Sequence, residues 1–170
     1  FRISFGNCKS SGYFRKRSND LMETGLLLCA LLYASAVQAS PLFNHNALKQ
    51  GAIQETCYRE PCSIAKVIGF KQLAKTSKSS MLELTLLGGE RQYKKKNVRW
   101  NKNPHKVYIT CSQDNPTMTL DGQVTILPLN PSMSVPGVLT SDTELYLWAC
   151  HNFKGSDTVA ARKFGYNVHE

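Results

Sequence analysis

Four cysteines place the strongest constraint on how this chain can fold. The sequence contains six cysteines, of which Cys57, Cys62, Cys111 and Cys150 follow residue 40. Four cysteines allow three pairings. We favour a local bridge between Cys57 and Cys62, which encloses only Tyr-Arg-Glu-Pro, and a long-range bridge between Cys111 and Cys150. The long-range bridge would join two distant elements and contribute more to stability, because it closes the larger loop.

An apolar run before these cysteines predicts that they reach an oxidising compartment. Residues 25–37 read Gly-Leu-Leu-Leu-Cys-Ala-Leu-Leu-Tyr-Ala-Ser-Ala-Val, which matches the core of a secretory signal and is too short to cross a bilayer. Ala39 follows, with small residues at the two positions that a signal peptidase reads. We therefore predict an upstream extension with a cleavable signal peptide over residues 1–39 and a single exported domain over residues 40–170.

Two features of the leader leave alternatives open. The chain does not begin with Met. Either translation starts upstream, so that the bases at residues 15–17 supply the positive charge before the signal core, or residues 1–21 are an over-extended reading of the gene. A lipoprotein signal would make Cys29 the lipid-bearing residue, but Leu28 stands where that processing needs a small residue. With either start, residues 1–21 lie outside the folded product.

Export limits the cofactors and partners that can be expected. Thiolates of an exported protein oxidise, and no Cys-x-x-Cys or His-x3-His spacing is present, so we predict disulfides and no metal or other cofactor. Both Asn-x-Ser/Thr sequences carry a proline in the middle, Pro116 and Pro131, which prevents N-glycosylation and favours a bacterial source. The expected location is the periplasm or the extracellular space, where intracellular nucleic acid is not a partner. No transmembrane segment is expected after signal cleavage.

Period-two alternation of apolar and polar residues predicts an antiparallel sheet in the exported domain. The clearest strand is residues 81–87, where every second residue from 82 is leucine, and Gly88-Gly89 is expected to end it. The segments on either side, residues 40–56 and 90–106, are predicted as a polar entry and a basic connection. Further strands are predicted at residues 63–74, which are long enough to contain a bulge, and at residues 107–111, 117–120 and 123–127.

Two helices are predicted after the strands. Ser141 and Glu144 have the spacing of a capping box, and no helix breaker follows before Gly155. A helix is therefore predicted from this capping box to a natural end at Gly155. A short last helix is predicted to begin at Ser156 and to end at Gly165. Strands followed by helices indicate the α+β class. We expect a small antiparallel β-sheet or barrel followed by one or two C-terminal helices and stabilised by disulfides.

Positive charge is concentrated in one segment of the exported domain. Residues 40–170 contain sixteen Lys or Arg and ten Asp or Glu, and residues 91–106 hold seven of the bases and no acid. Bases interleaved with flat rings suit an anionic envelope polymer or lipid, such as lipopolysaccharide or a wall polymer. The alternative is a solvated edge whose lysines prevent sheets from associating. The candidate ligand-binding residues are Arg91, Tyr93, Lys94, Lys95, Lys96, Arg99, Trp100, Lys102, His105 and Lys106.

The loop that Cys57 and Cys62 would close is a second candidate site. A short closed loop can hold Tyr58, Arg59 and Glu60 rigidly outward at little entropic cost on binding. In length it resembles the disulfide-closed loop that some periplasmic lysozyme inhibitors insert into the cleft of the enzyme, although it lacks a histidine. The resemblance implies a protein-interaction or inhibitor module with a protein partner. The alternative is a loop that only closes the entry to a strand.

No catalytic residue is predicted. Cys150 and His151 are adjacent, but adjacent residues of a helix point about 100° apart, and a disulfide would remove the nucleophilicity of Cys150. The chain contains no Gly-x-Ser-x-Gly or His-Glu-x-x-His motif. His151 is expected on the helix surface or in its last turn, where it would interact favourably with the helix dipole. An enzyme of unknown class stays a further alternative to the two binding hypotheses.

Overall fold

The computed structural model describes residues 42–169, so the predicted signal peptide and its cleavage site lie outside the described residues. Seven strands, one 3-10 helix and two α-helices lie in this range. They are β1 (Ile53–Thr56), β2 (Cys62–Lys75), β3 (Ser79–Arg91), β4 (Arg99–Trp100), β5 (His105–Ser112), β6 (Thr117–Leu120), β7 (Gln123–Ile126), the 3-10 helix Gly137–Leu139, α1 (Thr140–His151) and α2 (Asp157–Phe164). Within this range, no helix has the length and apolar character needed to span a membrane.

The strands form one antiparallel sheet, in which most neighbours along the chain are also neighbours in space. The order is β1-β2-β3-β5-β6-β7, and the short β4 pairs with β3 beside this path. β2 and β3 make the long central hairpin, and two register shifts within residues 67–74 mark bulges in β2. The predicted α+β class and the long bulged strand are therefore confirmed. The hairpin of β6 and β7 turns at Asp121 and Gly122, which both have positive φ, the conformation that a two-residue hairpin turn requires and that Asp-Gly favours.

The core lies between one face of the sheet and α1. Alternate residues of β3 and β5 supply the sheet side, and the second half of α1 supplies the helix side. These residues are Leu82, Leu84, Leu86, Val107 and Ile109 on the strands and Tyr146, Leu147, Trp148 and Cys150 on the helix. Burying each of the aliphatic side chains contributes roughly 1.5–3 kcal/mol. The alternation that predicted the strands also predicted which of their faces is buried.

Both predicted disulfides are present. Cys111 of β5 is bonded to Cys150 of α1 with a Cα–Cα distance of 5.6 Å, and both side chains are buried in the core. This bridge fastens the helix to the middle of the sheet, as expected. Cys57 is bonded to Cys62 with a Cα–Cα distance of 4.3 Å and closes the loop between β1 and β2. The two bridges therefore stabilise different parts of the fold.

β3 continues through Gly88 and Gly89, so the prediction that this pair ends the strand is wrong. The following segment lies close above Gly89. A Cβ atom at this position would lie 2.8 Å from Trp100 Cε3, 3.0 Å from Val98 Cγ1 and 3.1 Å from the carbonyl oxygen of Arg99. Glycine is needed here because another part of the backbone approaches the strand closely, rather than because the chain turns.

We expect Gly89→Ala to destabilise the protein by roughly 1–3 kcal/mol, because the added methyl group must displace β4. Urea unfolding would measure the loss, and acrylamide quenching would report greater exposure of Trp100, whose side chain is partly exposed in the fold. Gly69→Ala is the matched control, since its Cβ would meet nothing closer than 3.9 Å. Its stability should change by less than about 1 kcal/mol. Equal losses in the two variants would contradict this explanation of Gly89.

Two short strands, β1 and β4, were not predicted. In β1 the pattern is inverted, because polar Gln54 and Thr56 are buried while Ile53 is about half exposed. A polar residue on the buried face gives no alternation signal of the ordinary kind. β4 has only two residues, Arg99 and Trp100, which is too short for any periodicity. The segments predicted as a polar entry and a basic connection therefore each contain a strand.

The helix predictions are confirmed in position and wrong in detail. α1 begins at Thr140, directly after the 3-10 helix, and its N-cap is Leu139. No side chain caps the helix. Ser141 therefore lies inside it, and the predicted capping box is absent. The helix ends where Asn152 adopts the left-handed conformation, before the expected stop at Gly155. α2 agrees with the prediction, since the Ser156 hydroxyl accepts a hydrogen bond from a backbone N–H and a left-handed glycine ends the helix.

Candidate functional site

The disulfide loop and the basic segment meet at one end of the central hairpin. Residues 57–62 enter β2 and residues 92–98 leave β3 at the same end, because Cys62 pairs with Arg91 in the sheet. The backbone N–H of Tyr93 donates a hydrogen bond to Glu60 Oε1 at 3.1 Å. Two candidate sites that are separate in the sequence are thus joined by a direct contact.

We call the resulting region the tip surface, and its members are solvent-exposed side chains of the two loops. They are Tyr58, Arg59, Glu60, Tyr93, Lys94, Lys95 and Lys96. Tyr58 and Tyr93 are each 56% exposed. The guanidinium carbon of Arg59 lies 5.5 Å from the centroid of the Tyr58 ring, and Lys94 Nζ lies 5.5 Å from that of Tyr93. The tip surface therefore combines four bases, one acid and two accessible rings.

The disulfide loop is held in position on both sides. On one side, Glu60 accepts a hydrogen bond from the backbone N–H of Tyr93. On the other, the Tyr58 ring packs over Gly137, so closely that a Cβ atom added to Gly137 would lie 2.6 Å from the Tyr58 hydroxyl. A shallow hollow of about 230 Å³ lies between Tyr58, Arg59, Glu60 and Tyr93. Because these contacts restrict the loop before any partner arrives, binding here would lose little conformational entropy.

The rest of the predicted basic segment is divided among other surroundings. Three of its bases form ion pairs with acids of the sheet. These pairs are Arg91 with Glu55, Arg99 with Glu90, and Lys106 with Glu83, the last at 3.2 Å. The hydrogen bond from Lys106 is the largest cause that lowers the pKa of Glu83. These three bases are less available to a ligand than the lysines of the tip surface.

The remaining predicted ligand-binding residues lie away from the tip. Trp100 lies above Gly89, and Lys66 Nζ approaches its ring centroid to 6.0 Å. Lys102 is exposed in the connection between β4 and β5. His105 begins β5 and lines a cleft between the sheet and α1. The residues predicted as one run therefore contribute to more than one surface.

This cleft, which we call the sheet–helix cleft, was not predicted. It has a volume of about 280 Å³ and lies between one end of the sheet and the first turns of α1. Six of the seven strands and the helix contribute side chains, among them Gln54 of β1, Val107 of β5 and Asp142 of α1. Residues so far apart in the chain are brought together only by the tertiary fold. No local sequence signal could have identified them as neighbours.

One cluster of possible metal ligands and the cysteine considered for catalysis are occupied in other ways. Oxygen and sulfur atoms of Glu55, Cys57 and Cys62 lie within 4.8 Å of one another, but both sulfurs are in the disulfide and the carboxylate is paired with Arg91. Cys150 is in the core disulfide, so it is not a thiol nucleophile. These four residues therefore hold neither a metal ligand set nor an active thiol.

One motif that sequence reasoning overlooked is Ser63-Ile64-Ala65-Lys66, which has the Ser-x-x-Lys spacing of some acyl-transferring enzymes. The structure places it inside β2. Residues three apart in a strand point to opposite faces, so Ser63 and Lys66 do not face each other. The spacing has no catalytic meaning in this local structure.

No family model, curated protein or solved structure matches this chain.

Proposed function

We propose that this protein is a small exported, non-enzymatic binding protein of the bacterial cell envelope that binds an anionic ligand at the tip surface. The observation that carries the proposal is the hydrogen bond between Tyr93 and Glu60, which joins the basic loop to the disulfide loop. It turns two separate sequence features into one continuous surface. The ligand class is a chain or layer of closely spaced anionic groups, as in an envelope polymer or a lipid headgroup region.

The charge distribution supports this ligand class. Lys94, Lys95 and Lys96 are consecutive and exposed, and none of the ion pairs found among residues 42–169 includes them. A single exposed ion pair is worth about 0–1 kcal/mol, so useful affinity requires several cations acting together. Arg59 adds a fourth cation from the neighbouring loop. Such a cluster matches a repeating anion better than one isolated anionic group.

The two tyrosines add a second kind of contact. Their exposed rings provide flat apolar area, and their hydroxyl groups can donate or accept hydrogen bonds. Sugar rings and lipid headgroups present both apolar and polar surfaces, so they could contact ring and hydroxyl together. The adjacent Arg59 and Lys94 would at the same time pair with phosphate or carboxylate groups. The tip surface therefore suits a ligand that carries charge on a partly apolar frame.

A protein partner at the disulfide loop is the second candidate function, and the restriction of that loop by Gly137 and Tyr93 favours it as well. An inserting inhibitor loop, however, needs both of its flanks to be accessible. Here Tyr58 and Glu60 already contact neighbouring segments. We therefore rank the anionic ligand first, because it needs only the outer surface of the two loops.

The test is a charge reversal at the tip. The variant K94E/K95E/K96E should bind vesicles containing phosphatidylglycerol, or soluble inorganic polyphosphate, at least a hundredfold more weakly, since each lysine near an anionic surface contributes about 1 kcal/mol. Cosedimentation would measure vesicle binding and calorimetry would measure binding of the soluble polymer. Comparison of the two probes separates a lipid headgroup from a free polymer as the source of the anions. Binding should also weaken as NaCl is raised.

The matched control is K49E/K75E/K78E, which makes the same change in net charge with three exposed lysines. Lys75 and Lys78 flank the turn at the opposite end of the β2–β3 hairpin, about 40 Å away at roughly 3.3 Å per residue. This variant should retain most of the binding. Equal loss in both variants, or no binding by the unaltered protein, would overturn the proposal. If a partner protein binds the unaltered chain and the K94E/K95E/K96E variant but does not bind variants with Arg59→Ala and Glu60→Ala, the result would favour the second candidate.

A further inference from the structure

We infer that the sheet–helix cleft binds a small amine or guanidinium compound that carries a short apolar chain. The cleft is separate from the tip surface, since the two share no residue. All of the residues that line it except Asn101 belong to strands or to α1, so the cleft is formed before a ligand enters. The inference does not depend on the proposed function.

The first feature of the cleft is an acid without a partner. Asp142 lies in the first turn of α1 and is partly buried. None of the ion pairs or hydrogen bonds found among residues 42–169 involves its carboxylate, and removal from water is the cause that raises its pKa. No Lys or Arg is among the residues that line the cleft. A bound cation would therefore supply the charge partner that the protein does not.

The second feature is a buried amide with an unused acceptor. Gln54 is 6% exposed and lines the cleft, and its Oε1 has no hydrogen-bond partner among the described residues. Its amide nitrogen makes one long contact of 3.5 Å with the carbonyl oxygen of Glu55. Leaving a buried polar group unpaired costs about 1–3 kcal/mol. A small rotation of the side chain toward a ligand N–H group would recover part of this cost.

The third feature is the apolar part of the cleft lining. Leu86, Val107, Met118 and Leu145 line the cleft and belong to four different elements. They provide a surface for a hydrocarbon chain, which leaves water when it binds. The volume of about 280 Å³ lies just below the usual range of about 300–1,000 Å³ for small-molecule sites. The ligand is therefore a small compound rather than a polymer.

Charge selects a cationic ligand over an anionic one. The start of a helix carries a partial positive charge of about half an elementary unit, which by itself would attract anions. The full negative charge of Asp142 exceeds it, and the unpaired atom of Gln54 is an acceptor. Both groups call for a donor. An ammonium or guanidinium group has the charge that suits the carboxylate and the N–H donors that suit the amide oxygen, whereas a carboxylate of the same chain length has neither.

The experiment compares three probes of equal chain length: n-hexylammonium, n-hexanol and hexanoate. Binding of each to the full chain is followed by NMR chemical shifts of the cleft residues. We expect n-hexylammonium to bind most tightly and hexanoate least tightly. Asp142→Asn should weaken the binding of n-hexylammonium by about ten- to hundredfold, which corresponds to the loss of a hydrogen bond to a charged group. The affinity for n-hexanol should stay almost unchanged.

Two further variants keep the result interpretable. Ala65→Leu places a larger side chain in the cleft and should abolish binding of all three probes. Asp114→Asn removes one exposed acid outside the cleft and should leave the three affinities as they are. The inference is overturned if hexanoate binds as tightly as n-hexylammonium, if Asp142→Asn changes nothing, or if the shifted resonances lie outside the cleft. None of these results bears on the tip surface, which contains neither Asp142 nor Ala65.

Discussion

Replacing Cys111 and Cys150 together by alanine is expected to lower the free energy of unfolding by about 4 kcal/mol. The bridge joins residues that are 39 positions apart, so its loss gives the unfolded chain much more conformational freedom. Small domains have a total stability of about 5–15 kcal/mol, so the variant C111A/C150A should be close to unfolded at raised temperature. Urea unfolding of the oxidised protein and of the variant measures the difference.

The matched control for this prediction is C57A/C62A. These cysteines are only 5 positions apart, and the loop-entropy relation assigns about 2 kcal/mol to such a bridge. The bridge also lies at the tip rather than in the core, so its removal should leave the packing around Trp148 intact. A similar loss of stability in both double variants would contradict the assignment of the larger contribution to the helix–sheet bridge. Intrinsic fluorescence in a Trp100→Phe background, in which Trp148 is the only tryptophan, would show whether the core itself has loosened.

The parts of the fold that were predictable are those whose signal is local. Residues 82, 84 and 86 of β3 alternate because one face is buried, and that pattern can be read without knowing what covers the face. The Asp121-Gly122 turn and the glycine that ends α2 are local for the same reason. Gly89 was misread because a glycine that ends a strand and a glycine that admits another backbone look the same in sequence. The close approach of Trp100 distinguishes them only in three dimensions.

The candidate sites also divide into features with a local sequence signal and features that only the tertiary fold creates. The disulfide loop and the lysines at residues 94–96 were each proposed as candidates from sequence, because closely spaced cysteines and a run of lysines are local features. Their contact depends on the pairing of Cys62 with Arg91, which brings together residues that are almost thirty positions apart. The sheet–helix cleft has no local signal at all. Its most informative residue, Gln54, is a polar side chain on the buried face of β1, where the alternation rule expects an apolar one.

His151 was predicted on the surface of α1 but is buried, because α1 packs against other parts of the fold on more than one face. It lies in the last turn of α1, as predicted, but it is only 7% exposed instead of lying on the helix surface. Its ring stacks on Phe164 at a centroid distance of 3.9 Å, and its Nε2 lies 2.7 Å from the Tyr166 hydroxyl. Tyr166 in turn bonds to Tyr146, so a chain of buried polar groups runs from α1 to the C-terminal segment. α2 covers the face that was expected to be exposed.

This burial predicts that stability falls in mild acid. Burial, followed by unfavourable electrostatic interactions with His45 and with Lys163, lowers the pKa of His151 to about 4 from an unfolded value of 6.5. The unfolded chain therefore takes up a proton before the folded protein does as the pH falls. The contribution of neutral His151 is complete above about pH 6.5 and is lost as the pH falls through the folded pKa. The loss is roughly 3 kcal/mol between these limits, at 1.36 kcal/mol per pKa unit.

The variant His151→Gln should remove this pH dependence, because glutamine can still bond to the Tyr166 hydroxyl but does not titrate. Urea unfolding at a series of pH values from 4 to 7.5 measures the effect as the difference between the two proteins. The comparison must be made between them because burial raises the pKa of Asp142, which changes stability in the opposite direction as the pH falls. His105→Gln is the control, because it makes the same substitution at a half-buried histidine outside this chain of polar groups. A slope that persists in His151→Gln would show that another group is responsible for acid sensitivity.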